Sequence, residues 1–336
     1  MNDDGPRVAA RGRGIRLALR ATAAVLLLLL AAALVGPRRL AEQLRIVDLP
    51  WFVSAVVVAI AANFVSAWRW TQIARALGCR APLAPLVTAY AQGVTVNILL
   101  PGATLGGDAW RSARLARLGN ALAPSALSVF LDRASGLWVL CAMSLAALAG
   151  IVLLAPSRAD APATAAWVEL TRTVGAWPMT LYLAALAVAV AAPFLPWRTP
   201  HRPVRGELHG WPRVAAALAD AHALVLSRRA ALARSIAPSV GVQVLSAATL
   251  WLCARAAGGD IGYAAVLALA APIFIAASLP LSLGGFGPRE FAAALAFPML
   301  GSPAEAGVAA AVLYGLTGVA QGVLAAPLFA VDHRRN

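Results

Sequence analysis

Two arginines occupy the same short phrase at two distant points of the chain. Residues 100 to 111 read Leu-Pro-Gly-Ala-Thr-Leu-Gly-Gly-Asp-Ala-Trp-Arg, and residues 279 to 289 read Leu-Pro-Leu-Ser-Leu-Gly-Gly-Phe-Gly-Pro-Arg. Arg111 and Arg289 each follow the second glycine of their Leu-Gly-Gly by four residues. A guanidinium keeps its charge at any accessible pH and offers a planar fork that grips phosphate or carboxylate through paired hydrogen bonds. A Pro/Gly break ends a helix and frees backbone N–H groups whose dipole favours an anion. The chemistry on offer is therefore anion binding at two related helix breaks, the pattern expected of a transport-type site in a membrane protein.

The charges around these breaks are the other candidates. Asp108, Asp132, Arg133 and Glu290 stand at or near apolar segments, where ionisable residues are functional candidates by default. Asp132-Arg133 can form a local ion pair or a gate contact between halves. Glu290 can orient the neighbouring guanidinium, neutralise it, or couple to a proton. Asn97, four residues before the first break, can serve backbone groups that the break frees. Gly106-Gly107 and Gly284-Gly285 let two backbones, or a backbone and a ligand, approach where a β-carbon would clash. The plainer reading of Arg111 is that it snorkels to the interface with Arg114 and Arg117.

What must position these residues is a set of membrane helices. The chain has 336 residues, 61% hydrophobic and 12% charged, with a mean hydropathy of +0.76, outside the range of soluble globular proteins. Runs of about 20 apolar residues, enough to cross a bilayer, recur at 17–36, 50–68, 122–154, 178–196, 234–255 and 304–330. Gly36-Pro37-Arg38-Arg39 lacks a small-residue cleavage site, so the first run is expected to be a retained span rather than a signal peptide. The tryptophans at 51, 68, 70, 167, 177 and 197 fit an interfacial belt.

All 28 basic residues are arginine, and the formal net charge is +14. In a soluble protein that excess would suggest nucleic acid. Here the arginines gather beside the spans, as the positive-inside rule requires, and nucleic-acid binding is not expected. The tail 1–16, the connections 69–82 and 197–234 and the tail 331–336 are arginine-rich and are assigned to the cytoplasm, with 155–177 and 256–262 outside. Residues 211–231 fit an amphipathic helix lying on the inner leaflet. Arg38, Arg39 and Arg45 resist the scheme. Cys79, Cys141 and Cys253 are scattered, and the four histidines lie in polar connections, so no disulfide framework, metal site or cofactor is expected.

Parity then constrains the repeated phrase. If 82 and 121 face the same side, the stretch between them crosses an even number of times, yet 104–118 carries four charges. A re-entrant hairpin resolves this: 83–100 enters, breaks at Pro101-Gly102 and returns through Gly106-Gly107, surrounded by protein or a water-filled cavity. The same reasoning makes 263–299 a hairpin from the opposite face. The expected fold is an all-α polytopic membrane protein with about six full spans and two re-entrant hairpins, repeat one at 17–154 and repeat two, inverted, at 178–330. An eight-span bundle, in which the Gly-Gly pairs only allow close helix packing, is the alternative.

The phrase from Asn97 to Arg111, the Asp132-Arg133 pair and the phrase from Leu279 to Glu290 resemble the lysylphosphatidylglycerol synthase transmembrane-region family, also called flippase-like domain proteins. The resemblance covers nearly the whole chain. It implies an inner-membrane protein that moves, or helps move, a phospholipid or polyprenyl-linked glycolipid between leaflets. An envelope glycosyltransferase is the protein partner it suggests. Asp132 stands where Glu before Arg is usual, and Leu313-Tyr314-Gly315-Leu316 stands where an Arg is common. The soluble aminoacyl-transfer domain is missing, so synthase activity is not expected.

Three functions compete. Translocation of a lipid with an anionic head group leads. No G-x-x-x-x-G-K loop is present, so its drive would be a gradient, a potential or downhill flow. A transferase with Asp108 or Glu290 as general base lacks a His, Ser or Cys partner. A non-catalytic partner of an envelope-synthesis enzyme is the third.

Overall fold

Inside a bilayer, every backbone N–H and C=O must be satisfied within its own segment, so apolar runs become helices. The computed structural model describes residues 22, 25–33, 36–45, 47–99, 105–154, 177–192, 229–279 and 286–333. Residues 25–33 are helical, and after them come α1 (Pro37–Arg45), α2 (Leu49–Ala76), α3 (Leu83–Leu99), α4 (Leu105–Arg117), α5 (Leu122–Leu154), α6 (Trp177–Ala191), α7 (Arg229–Ala256), α8 (Tyr263–Ser278), α9 (Pro288–Ala296) with a 3₁₀ turn at Phe297–Leu300, α10 (Ala304–Ala325) and α11 (Leu328–His333). The described residues form no regular strand.

Among the described residues, four helical stretches are long and apolar enough to cross a membrane: Leu49–Ala76, Leu122–Ile151, Ser235–Ala256 and Ala304–Ala330. Thr180–Ala191 and Tyr263–Ser278 are apolar but shorter. On α2 the side chains of Val53, Val57, Ile60, Phe64 and Trp68 are all exposed and recur at three- and four-residue intervals. They make an apolar stripe suited to lipid.

Two helices of the first half recur at a fixed offset in the second. The 28-residue α2 and α7 begin 180 residues apart, at Leu49 and Arg229, as do α3 and α8, at Leu83 and Tyr263. α2 and α7 end in the same turn. Gly78 and Gly258 take φ of 81° and 76°, the left-handed region where a β-carbon is costly. The following N–H groups, of Cys79 and Gly259, reach back to the carbonyls of Ala74 and Ala254 at 3.0 and 2.8 Å, the long bond of a Schellman cap.

Packing between the halves is reciprocal. α2 and α7 make the most extensive helix–helix contact and run antiparallel. The Asp48 N–H at the start of α2 donates to Ala256 O at the end of α7 (2.9 Å), and Arg69 reaches Ser239 at the other end (3.3 Å). α3 packs on α10, where Thr95 Oγ1 donates to Gly322 O (2.9 Å). Its counterpart α8 packs on α5, where Ser144 Oγ donates to Leu267 O (2.9 Å).

Each helix pair that carries the repeated phrase packs together, α3 on α4 and α8 on α9. At the base of α3 and α4, Asn120 Nδ2 donates to Arg80 O (2.9 Å) while its Oδ1 accepts from Arg80 N–H (2.7 Å). α4 and α9 have 13 and 9 residues. At 1.5 Å per residue they extend about 20 and 14 Å, short of a hydrocarbon core of about 30 Å. Residues 100–104 and 280–285, which hold Pro101-Gly102 and the Gly284-Gly285 pair, lie outside the described residues, as do 155–176 and 193–228.

Two expectations need correction. The span set at 50–68 runs on to Ala76 as α2, because Trp68-Arg69-Trp70-Thr71 contains no breaker and Gly78 supplies the stop. Arg69, assigned to a connection, is therefore inside the helix and only 4% exposed. Trp70 is not part of an interfacial belt: it is fully buried, and its indole N–H donates to Ser128 Oγ (3.0 Å).

Candidate functional site

The break in the first half positions Arg111 and Asp108 on α4. Asn97, in the last turn of α3, accepts the Gly107 N–H on its Oδ1 (2.7 Å), satisfying one of the donors left open at the start of α4. A β-carbon on Gly107 would come within 2.6 Å of that Oδ1 and into the Gly93 carbonyl, so α3 and α4 can meet this closely only with glycine there. Gly106 is half-buried at the same helix start. Asp108 lies in the first turn of α4, where the helix dipole favours a carboxylate.

Arg111 does not snorkel. It is 2% exposed, and its guanidinium carbon lies 4.4 Å from the ring centres of both Trp70 and Tyr90. Its Nη2 donates to Asp132 Oδ2 (2.7 Å) and its Nη1 to Asp108 Oδ1 (3.4 Å). The other oxygen of Asp132 accepts from Arg69 Nε (2.8 Å). Asp132 thus bridges two guanidiniums from different helices. Arg133 turns away from it, as adjacent residues on a helix must, and forks onto Asp108 through Nε (3.0 Å) and Nη2 (2.9 Å). Burying such charges is tolerable only with this degree of pairing.

The second half builds its arginine differently. Gly287, with φ of 98°, caps α9, and its N–H donates to Glu290 Oε2 (2.6 Å). Glu290 Oε1 accepts from Arg289 Nε (3.1 Å) and Nη2 (2.6 Å). Glu290 therefore orients and neutralises its neighbour. The Arg289 guanidinium carbon lies 5.0 Å from the Phe286 ring and 5.5 Å from the Tyr314 ring. A β-carbon on Gly315 would collide with both Arg289 and Phe286. Gly315, which lies in the stretch where the family resemblance leads one to expect an arginine, is what gives this side chain its room.

Between the halves lies a cavity of about 520 Å³, walled by α2, α3, α5, α7, α8 and α10 together with Phe286 and Arg289. Among the described residues three arginines, Arg69, Arg133 and Arg289, line it, together with Asn97. No carboxylate of the described residues is in its wall: Asp108, Asp132 and Glu290 sit behind the guanidiniums they hold. Arg111 belongs to that second layer too, so the two arginines of the repeated phrase do not face one space. α4 presents Arg111 to Asp132, whereas α9 presents Arg289 to the cavity.

Motif reasoning missed much of this wall. Asn63, Ser66 and Arg69 recur every three residues on α2, and Gln243, Ser246 and Thr249 do the same 180 residues later on α7; all six line the cavity. Thr317 and Gln321 add polar atoms from α10, and Tyr90, Phe274, Phe286 and Tyr314 add rings. The signal was present as a thin polar stripe along otherwise apolar helices. Among the described residues no three His, Cys, Asp or Glu side chains come together as a metal set.

A search among curated proteins finds none that matches the chain. Residues 16–326 match the profile of the lysylphosphatidylglycerol synthase TM region. With nearly the whole length matched, the chain belongs to that family of membrane proteins.

Proposed function

We propose that this protein moves a lipid with an anionic head group between the leaflets of the cell's inner membrane. The observation that carries this reading is the cavity wall: three guanidiniums, polar stripes from α2, α7 and α10, and no carboxylate among its described residues. Such a wall attracts a phosphate and offers hydrogen bonds to a hydroxylated head group. The antiparallel α2 and α7 and the reciprocal packing of α3 on α10 and α8 on α5 support an inverted repeat. In that scheme the two broken pairs are re-entrant hairpins from opposite faces, and both termini are cytoplasmic. Exchange of access would come from one half rocking on the other. A transferase role for Asp108 or Glu290 finds less support, because each already accepts hydrogen bonds from arginine behind the wall.

The test is purified protein in liposomes with fluorescent phosphatidylglycerol and the matching phosphatidylcholine, leaflet exchange being followed by quenching from outside. Exchange of the anionic lipid, chemically unchanged and reduced about tenfold by Arg133→Gln, is expected. Equal exchange of both lipids, or rates no higher than in protein-free liposomes, would refute the reading.

A further inference from the structure

Beside the polar cavity lies a second space of about 230 Å³ between α2, α3 and α10. It shares Asn63, Tyr90, Val94 and Gln321 with the cavity wall. Beyond those four residues its lining turns wholly apolar, with Ile60, Phe64, Val87 and Leu324 among the side chains. Ile60, Phe64 and Leu324 are 43%, 55% and 64% exposed, so this space opens sideways on the surface that carries the lipid-facing stripe of α2. At the junction Asn63 Nδ2 donates to Gln321 Oε1. That bond ties α2 to α10 across the boundary between the polar and apolar spaces.

We propose that this side groove is the binding site for the hydrocarbon chain of the lipid whose head group occupies the cavity, and that the Asn63–Gln321 pair is the doorway between them. The proposal builds on the head-group reading above. The two spaces share a wall and change from polar to apolar across it, so one amphiphile with a charged end and an apolar tail matches both at once. A protein segment matches less well, since its backbone would bring polar groups against walls with nothing to pair them. The groove also lets a chain stay in hydrocarbon while its head group is enclosed, which avoids exposing methylenes to a wet cavity.

The experiment uses the full chain in liposomes with two photoactivatable probes, a phosphatidylglycerol and a phosphatidylcholine bearing the same diazirine-tagged acyl chain, and adducts mapped by mass spectrometry. Adducts at Ile60, Phe64 and Leu324 should favour the phosphatidylglycerol at least about fivefold. Leu181 and Val188, both exposed on α6 and absent from the groove lining, should label alike with the two probes. Ala91→Phe, on the groove wall, should remove the preferential adducts while leaving binding of soluble glycerol phosphate to the cavity unchanged. Equal probe ratios at groove and surface positions would overturn the proposal. So would an absence of groove adducts with either probe, which would mean that protein covers the groove. In both cases, retained glycerol phosphate binding keeps the head-group reading alive, whereas loss of that binding in the unaltered protein overturns both.

Discussion

Asp132 is the hinge of the buried charge cluster, holding Arg69 on one oxygen and Arg111 on the other. Removing one partner of a buried pair leaves an uncompensated charge, so Asp132→Asn should lower stability by about 3–5 kcal/mol. Thermal unfolding in detergent measures this, and a shift no larger than that of a surface substitution would count against the cluster's role. The two arginines of the repeated phrase should respond differently to lysine. Arg289→Lys keeps a charge at the cavity but loses the fork, and affinity for glycerol phosphate should fall about tenfold. Arg111→Lys loses its stacking between Trp70 and Tyr90, so it should cost stability and leave that affinity nearly intact. Because the two share no partner among the described residues, the double variant should be additive within about 0.5 kcal/mol in each readout. A larger coupling would mean that the two arginines act on one anion.

The broken helix pairs are held by a few specific atoms, and their failure can be read separately from that of the charges. Gly107→Val would push a side chain into the Gly93 carbonyl and Asn97, so lipid exchange should be abolished while insertion into the membrane persists. Asn97→Ala removes the acceptor for Gly107 N–H and, as for a lost helix cap, should cost about 1 kcal/mol. Full exchange activity in Gly107→Val would mean that α3 and α4 separate freely and that their close approach has no role. The matched caps after α2 and α7 offer an internal control. Gly78→Ala and Gly258→Ala, both at positive φ, should each cost about 1 kcal/mol and to a similar degree.

The orientation of the whole molecule is testable against a quiet background. The cysteines Cys79, Cys141 and Cys253 are free and buried, and burial pushes the Cys79 thiol up, so native labelling at neutral pH should be slow. In the proposed topology, an impermeant maleimide applied from outside intact cells should modify Ala165→Cys and not Arg205→Cys. The reverse pattern would invert the molecule, and with it the assignment of which hairpin enters from which face. Parity of the crossings would survive that inversion, since it depends on the hairpins and not on the side from which they are counted.

Local patterns in the sequence were enough to establish an all-helical membrane protein, the long apolar runs, the two related breaks and membership of the family, because each of these depends on neighbours a few residues apart. The span end at 68 was misread because an arginine between two tryptophans looks like an interface until a partner is supplied. That partner, Asp132, lies 63 residues away on α5, and only the packing of α2 against α5 brings them together. Tertiary structure likewise decided that Arg111 stands behind the cavity and Arg289 on its wall. Two copies of one phrase meet different neighbours, a carboxylate across the interface in one half and a glycine that leaves room in the other. The polar stripes of α2 and α7 became one wall for the same reason: six polar positions, Arg69 among them, on two separate helices acquire a meaning only when those helices are folded face to face.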